Sequence, residues 1–170
     1  MPIEPDSKDW TWVLERPCEG CGLDAGAFPP ADIPDRIRAD LPHWRTVLER
    51  SDVANRPDAG TWSPLEYAAH VRDVFALFIE RTDLMLREED PLFANWDQDR
   101  TAAEKNYAAE DPAAVQGELT AAGEAYAARL EGISDWERVG RRSNGSRFTI
   151  ATLAQYGLHD VVHHLSDVRG

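Results

Sequence analysis

The stretch that most constrains this chain is T-W-S-P-L-E at residues 61–66. Ser63 suits a helix N-cap, Pro64 the first helical position, and Glu66, three residues after the cap, completes a capping box. So defined a start commits the following residues, to about residue 89, to one long helix. That helix carries Leu65, Ala69, Val74, Leu77, Phe78, Leu84 and Met85. Glu66, His70, Asp73, Val74 and Leu77 share one stripe at three- and four-residue steps. A purely structural stripe would be apolar, whereas this one mixes apolar and ionisable groups.

Three more long helices emerge from the same logic. Ile33, Ile37, Leu41, Trp44, Val47 and Leu48 recur at helical spacing, and Pro42 inside the pattern is expected to bend that helix or split off its first turns. Asp111-Pro112 opens a helix through Val115, Leu119, Ala122, Tyr126 and Leu130, ending near Gly132. Thr149 caps the last one, whose apolar content runs from Ile150 to Leu165. Between the second and third, residues 90–109 form a long polar crossover, expected to hold a short helix near 100–108, with Phe93, Trp96 and Tyr107 as anchors or as part of a substrate loop. Asn144-Gly145 signals a tight hairpin pairing about 137–143 with 146–149. The expected fold is all-α: a four-helix bundle with a long crossover connection, plus a small β-hairpin before the last helix. Residues 32–170 make the bundle. Residues 1–31 are an N-terminal extension pinned to it by Trp10, Trp12, Val13 and Leu14.

A formal net charge of −13 argues against broad binding to nucleic acid or anionic membranes. No apolar run approaches the roughly 20 residues of a membrane span. M-P-I-E-P-D-S-K-D-W lacks the basic and apolar regions of a signal peptide, so a cytoplasmic location is expected.

The chemistry concentrates at Y-G-L-H-D-V-V-H-H-L-S-D-V-R, residues 156–169. On a helix His159 and His163 stand one turn apart and can grip one transition metal. A third ligand must come from elsewhere, and His70 on its separately capped helix is the candidate. Three protein ligands plus water make an open, catalytic zinc site. Asp73 and Asp160 are candidates to orient ring nitrogens. His164 points about 100° away from His163, which suits a supporting or substrate contact rather than ligation. Arg138, Arg141, Arg142 and Arg147 either offset nearby carboxylates or, in Arg141, Arg142 and Arg147, clamp an anionic substrate.

Cys18 and Cys21 in C-E-G-C-G have the form of one zinc knuckle, but the chain has no second cysteine pair to complete a ribbon. A turn without metal, a reversible disulfide, a second metal site completed by His43 or a carboxylate, and a site shared across a dimer all remain open.

W-S-P-L-E-Y-A-A-H-V-R-D-V together with H-D-V-V-H-H-L-S-D-V resembles the DinB/YfiT-like superfamily of four-helix bundles over roughly residues 33–170. The flavour is similar to its actinobacterial branch, related to mycothiol-dependent enzymes such as maleylpyruvate isomerase. The resemblance implies a divalent metal, zinc foremost with nickel or iron as alternatives, held by His70, His159 and His163. In the isomerase pattern a glutamate stands as first ligand of the last-helix pair, and His159 replaces it here. The resemblance further implies a low-molecular-weight thiol such as mycothiol, a small-molecule substrate, and a homodimer. The expected function is thiol-dependent transfer or isomerisation of a small electrophile. The alternatives are a metal-dependent hydrolase and a non-catalytic, metal-stabilised helical binding protein.

Overall fold

The computed structural model describes residue 3 and residues 8–170. The sequence reading of the chain's first residues therefore falls mostly outside the described residues. Among the described residues five α-helices succeed one another, α1 (Ile33–Leu48), α2 (Pro64–Arg87), α3 (Gln98–Lys105), α4 (Pro112–Glu131) and α5 (Ile150–Asp167), with strands β1 (Val139–Arg141) and β2 (Arg147–Thr149) before the last. Four of them, α1, α2, α4 and α5, form the bundle, and α3 lies in the crossover. Helix α2 packs on α4 and α5, while α1 packs on α4 and also touches α2 and α5. Among the described residues no helix is long and apolar enough to cross a membrane.

The caps act as their sequences require. Ser63 accepts from the Glu66 amide while the Glu66 carboxylate accepts from the Ser63 amide. Arg56 adds two hydrogen bonds to the same carboxylate and ties the preceding loop to the start of α2. Asp111 accepts from the Ala114 amide at the head of α4, and Thr149 forms a second capping box with Thr152. Pro42 leaves α1 a single helix. It lies on the exposed side, where water can serve the carbonyl its ring leaves unpaired.

The core runs the length of the bundle, with Trp44, Phe75, Tyr126, Met85, Leu119 and Ile150 almost wholly buried. The hairpin's strands are shorter than expected and its tip is one residue longer than a two-residue Asn-Gly turn. Arg141 pairs with Arg147, Arg142 donates to the Ser146 carbonyl and Gly145 to that of Arg142, so Ser143–Gly145 form a three-residue loop. Only Gly145 takes positive φ, at +91°, so the tip is not the two-residue turn that needs both central residues left-handed. The chain after α2 joins this hairpin, with Phe93 donating to the Arg141 carbonyl and Arg141 to that of Pro91. Arg138 closes the end of α2 by donating to the carbonyls of Met85 and Glu88.

The N-terminal segment lies against α5. Its 3-10 turn at Thr11–Leu14 buries Val13, and Gln155 from α5 donates to the carbonyls of Gly26 and Phe28. Cys18 and Ala25 of this segment are also buried.

Candidate metal centres

The structure does not bring His70, His159 and His163 to one point. It sorts the histidines of α2 and α5 into two groups of donor atoms, His70–Asp160–His164 and Cys18–Cys21–His159–His163, each lying within 4.8 Å. The reason is helical geometry. Positions 159 and 163 share one face of α5, positions 160 and 164 share the face about 100° further round, and only the second face meets α2.

In the first group the Nε2 atom of His70 lies 3.3 Å from Oδ1 of Asp160, and Nε2 of His164 lies 3.6 Å from that same oxygen. Both ring nitrogens of His70 and Oδ1 of Asp160 are buried without hydrogen-bond partners. Buried polar atoms are rarely left so, and one His70 nitrogen and the Asp160 oxygen facing each other, with Nε2 of His164 beside them, fit a cation between the three residues. His164 is oriented for the task, since its Nδ1 sits 3.0 Å from Asp167 and leaves Nε2 facing Asp160. Burial pushes the Asp160 carboxyl up, but the facing His164 and His70 outweigh it and hold the group at about 2. Trp96 stacks on His70 with 5.6 Å between centroids, and Trp62 covers it from another side at 5.4 Å. These aromatics close His70 off completely, leaving it 0% exposed.

Asp160 and His164 border a cavity of about 480 Å³. Val74, Leu77 and Phe78 supply apolar lining, and Tyr67, Arg81, Arg142 and Tyr156 supply polar lining. Burial pushes the Arg81 guanidinium down to about 10, and the neighbouring Arg142 adds to that effect. Burial, with the charges of Asp167, Asp58 and Glu66, pushes the Tyr67 phenol up to about 12, so it stays a proton donor at neutral pH.

The remaining expected site residues are spread differently. Of the hairpin arginines only Arg142 reaches the cavity; Arg141 and Arg147 pair with Asp90. Asp73 orients no imidazole. It accepts from Tyr107 and pairs with Lys105 and Arg72, anchoring the crossover. His43 is exposed on α1 and takes no part in either group. Arg81 escaped the sequence reading because one arginine on a long helix looks like a solvated surface residue.

In the second group Sγ of Cys18 lies 3.5 Å from Nδ1 of His163, and both cysteines are free. Nε2 of His159 is buried without a partner. Burial pushes the Cys21 thiol up. Burial, reinforced by His163, pushes the His159 imidazole down to about 4, so the ring is neutral at pH 7 with a lone pair free to bind.

A family model described as the DinB superfamily matches residues 33–168. No curated protein matches the sequence. Among solved structures, YfiT from Bacillus subtilis, described as a probable metal-dependent hydrolase with an unusual four-helix bundle topology, superposes with a TM-score of 0.68. The two share 19% identity over 82% of this chain and 83% of that one, a likeness of fold. Cys18 and Cys21 precede the residues that the family model matches.

Proposed function

Since the chain belongs to the DinB superfamily, we propose that it is a metal-dependent enzyme in which a low-molecular-weight thiol, of the mycothiol kind, attacks a small electrophile bearing a carboxylate. The outcome is a transfer or an isomerisation. The observation that carries this reading is the set of orphaned atoms on the buried His70 and on Asp160, with His164 beside them, of which Asp160 and His164 line the 480 Å³ cavity. Two imidazoles and one carboxylate suit zinc, and also nickel or iron. A divalent cation held there would lower the pKa of a coordinated thiol or water and supply a nucleophile at neutral pH.

The protein's own residues do the rest. Asp167 fixes the ring of His164 through Nδ1 and so aims its other nitrogen. Trp62 and Trp96 exclude water from His70 and keep its ring in one orientation. Arg81 and Arg142 offer guanidinium groups to a carboxylate of thiol or substrate, in a cavity whose apolar lining strengthens such a contact. Tyr67, protonated at neutral pH, can donate a hydrogen bond to an oxygen of the substrate.

Metal-dependent hydrolysis is the second reading, favoured by the likeness of fold to YfiT. The test supplies metal-loaded protein with an activated electrophile, with and without a low-molecular-weight thiol, and separately with carboxylate-bearing esters. Thiol-dependent conjugation that His70→Ala and His164→Ala abolish supports the proposal. Ester turnover indifferent to thiol would replace it with hydrolysis. Metal binding without turnover in either assay would leave a non-catalytic binding protein.

A further inference from the structure

We propose that Cys18, Cys21, His159 and His163 form a second, closed zinc site that fastens the N-terminal segment to α5. The four donor atoms lie within 4.8 Å of one another. Zinc–sulfur and zinc–nitrogen bonds of about 2.3 and 2.0 Å in a tetrahedron place sulfur and nitrogen about 3.5 Å apart. The Cys18 Sγ to His163 Nδ1 distance is 3.5 Å. The orphaned Nε2 of His159, on a residue only 4% exposed, gains in zinc the partner it lacks.

The loop between the cysteines is shaped for the purpose. The Gly22 amide donates to the Cys18 carbonyl over 2.7 Å with φ of +77°, a backbone that glycine adopts without strain. A Cβ on Gly20 would stand 3.0 Å from Cε1 of His163, so position 20 has little room for a side chain. Trp10 packs over both imidazoles, with centroids 5.8 and 5.3 Å away, and shields the site. Two thiolates and two imidazoles select zinc over hard cations, and four protein ligands leave no open position for substrate. Binding releases one proton from each thiol and leaves a site of zero net charge, which suits its burial.

The site has a consequence for its neighbour. His159 and His163 alternate along α5 with Asp160 and His164, so a zinc ion gripping the first pair fixes the rotation of the helix that aims the second pair at His70.

The experiment uses the full chain, purified with zinc or exchanged into cobalt. The expected cobalt protein shows thiolate-to-cobalt charge-transfer absorption, and Cys18→Ser and Cys21→Ser each abolish it and lower bound zinc by one ion per chain. His70→Ala keeps the absorption, because that residue belongs to the other site. His163→Cys keeps zinc and intensifies the band, and this variant carries the test if the serine variants fail to fold. A wild-type cobalt protein without the thiolate band, or unchanged zinc content in the double serine variant, overturns the proposal. Loss of the band in His70→Ala overturns the separation of the two sites. A chain that shows the band yet turns over no substrate sinks the catalytic reading and leaves this one standing.

Discussion

Replacing Arg81 by methionine should make the protein more stable and a poorer catalyst. The Arg81 guanidinium lies over the Phe93 ring at 5.1 Å, its Nε has no hydrogen-bond partner, and no ion pair holds it among the described residues. Burial first, and Arg142 second, lower its pKa from 12.5 to about 10. The folded state therefore disfavours the cation, and the penalty applies in full at every pH below about 10, fading only as pH rises towards 12.5. At neutral pH the penalty is roughly 3 kcal/mol, counted at 1.36 kcal/mol per pH unit. Methionine keeps the apolar stem and forfeits a cation–π contact of about 1 kcal/mol. The net gain is about 2 kcal/mol, or roughly 4–8 °C in Tm for a domain of this size. Thermal unfolding followed by circular dichroism at pH 7 reads it directly. Losing one charged hydrogen bond of about 1.5–3 kcal/mol should meanwhile lower kcat/KM for a carboxylate substrate roughly ten- to a hundredfold. A Tm that falls on Arg81→Met would falsify the claim that this cation is held at a cost for function.

Acid should loosen the crossover before the bundle. Burial pushes the Asp73 carboxyl up, but Lys105, Tyr107 and Arg72 together outweigh it and hold the group below the usual carboxylate range. Its contribution is complete above the unfolded value near 3.8 and is lost as pH falls through the lower folded value. Asp73→Asn should therefore cost about 1–3 kcal/mol at pH 7 and much less at pH 2–3, with denaturant melts at the two pH values as the check. Gly157→Ala improves helix propensity by about 1 kcal/mol, yet its Cβ would stand 2.9 Å from Cδ1 of Phe78. Overpacking of about 1–3 kcal/mol should win, lowering the urea midpoint and displacing a ring that lines the cavity; an unchanged midpoint would show that Phe78 swings away freely.

Much of the fold was legible because its signals are local. Each of three helix starts is written in a cap and the first turn beside it, as at Ser63-Pro64-Leu65-Glu66, Asp111-Pro112 and Thr149. The hairpin was visible in Asn144-Gly145, but its loop length was not, since that depends on which strand positions pair. Pro42 looked like a break and is not one, because the cost of a proline depends on whether water reaches the carbonyl it frees.

The candidate sites divide along the same line. Sequence alone determined that α5 would present ligand types one turn apart and that His70 would stand on a facing helix. It could not determine the grouping, because His159–His163 and Asp160–His164 have the same i, i+4 spacing, and periodicity ranks neither pair above the other. Tertiary structure made that choice through the rotation of α5, which turns Asp160 and His164 to α2 and His159 and His163 to the N-terminal segment. It also gave Cys18 and Cys21, over 130 residues away in sequence, the partners that no local pattern could supply. Caps and periodicity act within a turn or two of chain, whereas a coordination sphere is closed by whichever faces the packed core brings together.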